Sequence, residues 1–505
     1  MDPNLLTGLA AALTPTNMLF ALIGCLLGTL VGILPGLGPA SAMAILLPSA
    51  IYLPPEGAII IMAGIYYGAM YGGSTTAILT NVPGEVSSIV TAQDGYPMTR
   101  QGRAGQALAI AAIGSFMAGI FGTLAIAVIG PRIADLALRF GPAEYFALVL
   151  FSMTALISFA GPSVLKGLAI AALGMALAAV GTDPLTGTQR ITFGTIEMTK
   201  GLDIVPVLIG LFGIAEMLVV MQGAAARSFT GRLGSWLSML PRGIELARGL
   251  TASVRGTVTG FVMGLLPGML PALTAYLAYD VERRIAKRPE EFGKGRIEGV
   301  AAPEAANNAT AMAGFIPLLS LGIPTSPALA IVLGTLLING LTPGPMLFQQ
   351  QGTFVWTIIA SMLLANAMLL VLNLPLIGLW ARLSVVPYSI LGPIVLAICI
   401  VGAYAPRNTL FDVWVAIAFG VVGYVMRRLN LPIAPLVLGF LLGPLLEQSL
   451  RQSLSLSAGN LFFVQDKPIA LVLTIAAALV LAGTLYFKRR SKAVKSLIRD
   501  STNET

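Results

Sequence analysis

The chain has no histidine among its 505 residues and only two cysteines. Without imidazole there is no Ser-His or Cys-His nucleophile pair, no histidine metal ligand and no side chain that ordinarily shuttles protons near neutrality. Cys25 and Cys399 stand alone in apolar runs, so they offer neither a disulfide framework nor a metal cluster and read as core residues. Charge is scarce as well. Only 10% of residues are Asp, Glu, Lys or Arg, against about 25% in an ordinary soluble domain. No charged residue occurs from Pro3 to Pro55, and none from Ala305 to Ala381. No period-two alternation runs through the apolar stretches, so strands are not expected. No P-loop phrase is present, which excludes nucleotide hydrolysis by that route. Met1-Asp2-Pro3-Asn4 has no basic residue before its apolar run, so the first span is expected to be retained rather than cleaved.

What is present is apolar: 56% hydrophobic residues and a mean hydropathy of +0.87. Fifteen apolar stretches can be read between residues 17–34 and 468–487. Several are shorter than the roughly 20 residues a crossing takes. The expected fold class is therefore an all-α integral membrane protein with about ten to twelve transmembrane helices, the remaining pieces being re-entrant or half-helical. The 56 glycines and 32 prolines suit close helix packing and helix breaks in a bilayer.

The net charge of +8 does not indicate nucleic-acid binding, because the basic residues sit in a few clusters. These are Arg227, Arg232, Arg242, Arg248 and Arg255, then Arg283, Arg284, Lys287, Arg288, Lys294 and Arg296, then the tail after Phe487. The positive-inside rule assigns such clusters to the cytoplasm, the tail 488–505 included.

One phrase occurs twice. Gly32-Ile33-Leu34-Pro35-Gly36-Leu37-Gly38-Pro39-Ala40 returns as Gly264-Leu265-Leu266-Pro267-Gly268-Met269-Leu270-Pro271-Ala272, 232 residues later. A second pair follows at 74–85 and 317–327, containing Asn81-Val82-Pro83-Gly84 and Gly322-Ile323-Pro324-Thr325-Ser326, with Val82 and Ile323 241 residues apart. Each half, 1–245 and 246–487, thus carries two breaks in the same order. A break in a membrane helix frees backbone groups that hydrocarbon cannot satisfy, so it belongs where protein or a wet cavity covers it. Matched breaks in two halves point to a transporter binding site. The loop after the first break is free of basic residues in half one and strongly basic in half two, which favours an inverted repeat.

Polar groups inside the apolar stretches concentrate near these breaks. Ser74, Thr75, Thr76, Thr80 and Asn81 form one cluster; Glu304, Asn307, Asn308 and Thr310 a second; Ser320, Thr325 and Ser326 a third. Glu304, Asn307 and Asn308 share one helix face at i, i+3 and i+4, and Glu304 is the one acid between Glu298 and Arg382. An acid at membrane depth is a functional candidate by default. Thr80, Glu304, Asn307, Asn308 and Ser320 are the candidate cation ligands, as hard oxygen donors. Pro35, Gly36, Gly38, Ser74, Thr75, Thr76, Asn81, Pro83, Gly84, Pro267, Gly268, Gly322, Pro324, Thr325 and Ser326 are the candidate substrate site. No Lys or Arg accompanies the breaks. An anion there would rest on free N–H groups and hydroxyls. Dehydrating a polyanion costs far more than these return, so a co-bound cation, sodium or proton, is expected.

At these residues the chain resembles the large membrane subunit of the tripartite tricarboxylate transporters, the TctA family. The resemblance is carried by the first Pro-Gly phrase, Tyr71-Gly72-Gly73-Ser74-Thr75, Asn81-Val82-Pro83-Gly84-Glu85, Pro303-Glu304-Ala305-Ala306-Asn307-Asn308-Ala309 and Leu321-Gly322-Ile323-Pro324. It spans Leu19 to about Tyr486. It implies a bacterial inner-membrane secondary transporter working with a small four-helix membrane subunit and a periplasmic solute-binding protein that delivers a di- or tricarboxylate. It also implies coupling to sodium or protons, no organic cofactor, and elevator-like movement. Thr325 and Ser326 depart from the family pattern, in which glycine more often follows the proline. An intramembrane enzyme would need a nucleophile with a base, or paired acids, and a passive channel would not need matched breaks lined with oxygen ligands.

Overall fold

The protein, seen in a computed structural model, is described at residues 3–34, 37–159, 161, 163–221, 236–383 and 388–503. Pro35 and Gly36 of the first break, and Arg227 and Arg232 of the first basic cluster, lie outside the described residues. The chain is helical nearly throughout, and seven described helices are long and apolar enough to cross a membrane. Shorter apolar helices, such as Val164–Ala178 and Pro327–Ile338, accompany them. The expectation of no strands needs one correction. Gly181–Thr182 and Gln189–Arg190 form a two-residue antiparallel ladder. The ladder is closed locally, since the Asp183 carboxylate accepts from the Leu185 N–H at 3.1 Å and the Thr186 hydroxyl at 2.7 Å, and a pairing that short leaves no alternation to read.

Two compact units are present, and they divide the chain differently from the sequence halves. The larger comprises 1–138, 203–265 and 269–425; the smaller comprises 139–202, 266–268 and 426–505.

In the larger unit each half repeats one construction. Helix Pro15–Ile33 starts on a capped proline turn, the Thr14 side chain accepting from the Asn17 N–H. It carries Gly24, Gly28 and Gly32 along one side and lies on helix Pro55–Thr80. A Cβ built on Gly24 would stand 2.7 Å from the Ile61 carbonyl oxygen, and one on Gly28 2.5 Å from that of Ile65. Helix Gly243–Gly264 repeats this with Gly256, Gly260 and Gly264 against Ala302, Ala306 and Thr310 of helix Glu298–Ala313. The glycines are offset by 232 residues and their partners by 241, the two offsets of the sequence phrases. Only glycine permits backbones this close, and in lipid such contact is a main source of helix association.

The breaks repeat as well. After the first, helices restart at Pro39 and Pro271, each on an extended residue, Gly38 and Leu270. At the second, helix Pro55–Thr80 ends on Asn81 (φ 58°) and helix Phe315–Leu321 on Gly322 (φ 73°). Beyond Asn81 the chain turns back, so that Gly84 N–H donates to the Gly73 carbonyl at 3.3 Å, before helix Ser88–Arg100 begins. In the second half Thr325 lies against Gly314, again 241 residues from the first pair.

Candidate functional site

Glu304 lies in helix Glu298–Ala313 and is fully buried. The helix puts Asn307 and Asn308 on the same side, both buried, as the i, i+3, i+4 spacing predicts. What the spacing does not show is the partner set from the first half. Ser74 Oγ, on helix Pro55–Thr80, donates to Glu304 Oε2 at 2.5 Å. The Thr91 hydroxyl, on helix Ser88–Arg100, donates to Oε1. Asn307 Nδ2 reaches Ser87 Oγ at 3.0 Å and Glu304 Oε2 at 3.5 Å. Asn308 Nδ2 reaches Ser115 Oγ at 2.8 Å, the Glu304 carbonyl at 3.0 Å and Asn307 Oδ1 at 2.7 Å. No Lys or Arg pairs with Glu304 among the described residues. A buried carboxylate held only by neutral donors needs a proton or a cation to balance its charge. Hydroxyls and amides from both halves converge on this acid.

Glu85 belongs to the same neighbourhood. Its side chain lies against Gly73, next to Ser74. Its Oε1 is buried without a hydrogen-bond partner.

The remaining sequence candidates are placed as follows. Thr75 and Thr76 are buried on the helix that carries Ser74. Thr80 turns its hydroxyl to the Thr76 carbonyl (2.8 Å), and Ser320 donates to the Gly130 carbonyl (2.9 Å), so neither hydroxyl points at Glu304. Thr310 bonds Thr274 and the Gly260 carbonyl, tying two helices together. Gly84 touches both Gly73 and the Gly32 carbonyl, which brings the two breaks of the first half together. Asn81 is exposed at its cap and Pro83 is partly buried, while Gly38 has open space around it. Gly322, Pro324, Thr325 and Ser326 are buried, and Ser326 caps helix Pro327–Ile338 and meets Tyr66 Oη at 3.5 Å. Pro267 and Gly268 belong to the smaller unit, where Gly268 (φ 85°) packs on Leu156.

A family model for the tripartite tricarboxylate transporter TctA family matches residues 18–438. The chain belongs to that family. Membership makes this TctA chain a component of a tripartite transporter, and its apolar helices make it a multi-pass membrane protein. A 52.8 kDa protein of Agrobacterium vitis, described as uncharacterized and placed in the TAR-I ttuC′ 3′ region, is 45% identical over 500 residues, 98% of this chain and 99% of the relative. A second A. vitis protein, from the TAR-II ttuC′ 3′ region, is 43% identical over 228 residues, 45% of this chain and 94% of its own length. A solved manganese transporter from Eremococcus coleocola aligns at 14% identity over 93% of this chain and 95% of its own, with a TM-score of 0.15, at which the overlap carries no argument.

Within the TctA chain, sequence reasoning missed Thr91, Ser87, Ser115 and Glu85. Thr91 sits on a helix whose mixed polarity does not read as a span, and Ser87 and Glu85 flank the turn before it. Ser115 is a lone hydroxyl in an apolar helix, a pattern that carries no functional signal, and it accepts from Asn308. Glu85, printed beside the break in Asn81-Val82-Pro83-Gly84-Glu85, was the readable signal.

Proposed function

We propose that the chain is the membrane transport subunit of a binding-protein-dependent secondary transporter that imports di- or tricarboxylates by symport with sodium or protons. One observation carries the reading: Glu304 is fully buried, unpaired by any described cation, and held by hydroxyl and amide groups from both halves. Such a group binds and releases one positive charge as part of a cycle. Energetics favour the coupling. A trianion moving inward against 100 mV costs roughly 7 kcal/mol, at about 2.3 per charge. Symported cations offset that cost.

The substrate anion would be held by the backbone of the breaks and by Ser74, Thr75, Thr325 and Ser326. The repeat would be inverted, given the unequal basic charge of the corresponding loops, with about ten to twelve crossings in all. The two broken elements would travel together in an elevator-like step. A small four-helix membrane subunit and a periplasmic binding protein would complete the system in a bacterial inner membrane, with the basic C-terminal tail in the cytoplasm. The test is uptake of labelled di- and tricarboxylates into proteoliposomes holding the chain and both partners. Dissipating the sodium and proton gradients together is expected to lower uptake at least tenfold. Uptake that continues unchanged overturns the symport reading.

A further inference from the structure

The start of helix Gly243–Gly264 and the end of helix Pro271–Ile285 meet at one cavity. Arg248 lies in the second turn of the first helix, and Lys287 and Arg288 follow the end of the second. With Glu291 and Arg296 they line a space of about 460 Å³. Farther along, Arg255 of the first helix and Glu282 of the second neutralise each other through two contacts, at 2.6 and 2.7 Å. Between those two, residues 256–279 carry no charge. An uncharged, proline-broken stretch belongs at membrane depth, so the level at which unpaired charge resumes on both helices is the lipid–water boundary.

The cations of this cavity are unequally committed. Arg296 pairs with Glu298 at 3.0 Å and with Glu291, and its guanidinium lies 5.6 Å from the centre of the Phe292 ring. It is a fixed group. Arg288 shares the same Glu291 at 3.1 Å. Arg248 and Lys287 are exposed and have no acid partner among the described residues. Four basic side chains thus face one acid, which two of them already share. Guanidinium and ammonium groups in such excess suit a phosphate.

The surface beside the cavity indicates what carries that phosphate. Beyond Arg248 the exposed side of the first helix continues through Thr251 to Val254, Val258 and Val262, the three valines each about half exposed. On the second helix Val281 and Ile285 are exposed just before Lys287. An apolar track therefore leads from the basic cavity down the uncharged part of the helices. A free phosphate uses the cavity alone, whereas a phospholipid uses both.

We propose that this cavity binds the phosphate of an anionic phospholipid whose acyl chains lie along Val254, Val258 and Val262. A zwitterionic lipid carries its own cation to the site and gains less there. None of these residues belongs to the candidate transport site, so the lipid site stands whether or not transport is cation-coupled.

The experiment is thermal stabilisation of the purified full chain in neutral detergent, titrated with dioleoyl phosphatidylglycerol, dioleoyl phosphatidylcholine or inorganic phosphate at constant ionic strength. Wild type is expected to respond saturably to phosphatidylglycerol, at concentrations about tenfold or more below those of phosphatidylcholine that give the same shift. Arg248→Gln combined with Lys287→Gln is expected to raise the half-saturating phosphatidylglycerol concentration about tenfold or more. Arg100→Gln combined with Lys294→Gln removes the same charge from a different cavity and is expected to leave that concentration within about twofold. If the first pair fails to fold, Lys287→Gln alone decides, with an expected rise of about threefold or more. Equal losses in the two pairs overturn the site, because the attraction is then diffuse. Inorganic phosphate that saturates the response and abolishes any further gain from lipid overturns the lipid assignment in favour of a free phosphate. A wild type that does not prefer phosphatidylglycerol to phosphatidylcholine overturns the proposal outright.

Discussion

Asn81 and Gly322 stand at equivalent places 241 residues apart, each the left-handed residue that ends a buried helix two positions before a proline. Glycine meets no Cβ penalty at φ 73°, and asparagine is the side chain that best tolerates φ 58°. Asn81→Gly is therefore expected to be neutral within about 0.5 kcal/mol. Asn81→Val and Gly322→Val should each cost at least about 1–2 kcal/mol. Thermal unfolding of the purified chain measures all three, and a valine tolerated at both positions would contradict the break geometry.

Glu304→Gln keeps the shape of the side chain and removes its charge. Cation-driven uptake is expected to fall at least tenfold while membrane expression stays within about twofold. Ser74→Ala and Thr91→Val, which each remove one donor to the carboxylate, should weaken apparent cation affinity at least about tenfold, in keeping with about 1.5–3 kcal/mol for a hydrogen bond to a charged group. Unaltered cation dependence in all three would remove Glu304 from the coupling mechanism.

The paired glycine faces should be intolerant of bulk. Gly28→Leu and Gly260→Leu both drive a side chain into the backbone of the partner helix, at Ile65 and Ala306. Overpacking costs typically about 1–3 kcal/mol, and a backbone neighbour cannot move aside as a side chain can. Loss of folded protein on size-exclusion chromatography is the expected result. Gly38→Ala, whose Cβ has open space, should behave as wild type.

Asp94 clasps the basic loop of the second half. Its carboxylate is buried and accepts from Tyr279 Oη at 2.8 Å and from the N–H groups of Gly293, Gly295 and Arg296 at 3.0, 2.8 and 2.7 Å. Asp94→Asn replaces one acceptor oxygen with a donor facing other donors. Tryptic cleavage at the exposed Lys294 should accelerate roughly tenfold, the equivalent of about 1.4 kcal/mol in local opening. An unchanged cleavage rate would mean that other contacts hold the loop.

In the smaller unit, Asp183 is held well below the usual carboxylate range, first by the Thr186 hydroxyl, then by Arg451 and the Leu185 N–H. A depressed folded pKa gives stability that is fully present above the unfolded value, about 3.9. It is lost as pH falls toward the folded value. Asp183→Asn should therefore unfold at a lower temperature than wild type at pH 7, and the gap should shrink below about pH 4. A gap independent of pH would show that the loop depends on shape rather than on this charge.

Much of the fold was legible because its signals are local. Absent charge over long runs marks membrane helices, and Pro and Gly mark their breaks. The offsets of 232 and 241 reappear in the glycine contacts and in the two left-handed caps. Glu304, Asn307 and Asn308 were legible because helical spacing puts them on one face. Ser115 was not, since a hydroxyl in an apolar helix usually bonds its own backbone, as Thr80 does, and Thr91 was not, since its helix is too mixed in polarity to read as a span.

The sequence by itself determined that this is a helical membrane protein with doubled breaks, and that no Lys or Arg accompanies those breaks. Composition and spacing suffice for this, because hydrocarbon admits few alternatives for an uncharged, proline-broken chain. Tertiary structure alone decided which hydroxyls meet Glu304 and that Glu85 shares its neighbourhood. Those facts depend on residues more than 200 positions apart being brought within hydrogen-bond reach by glycine-packed helices, and no local pattern encodes that register.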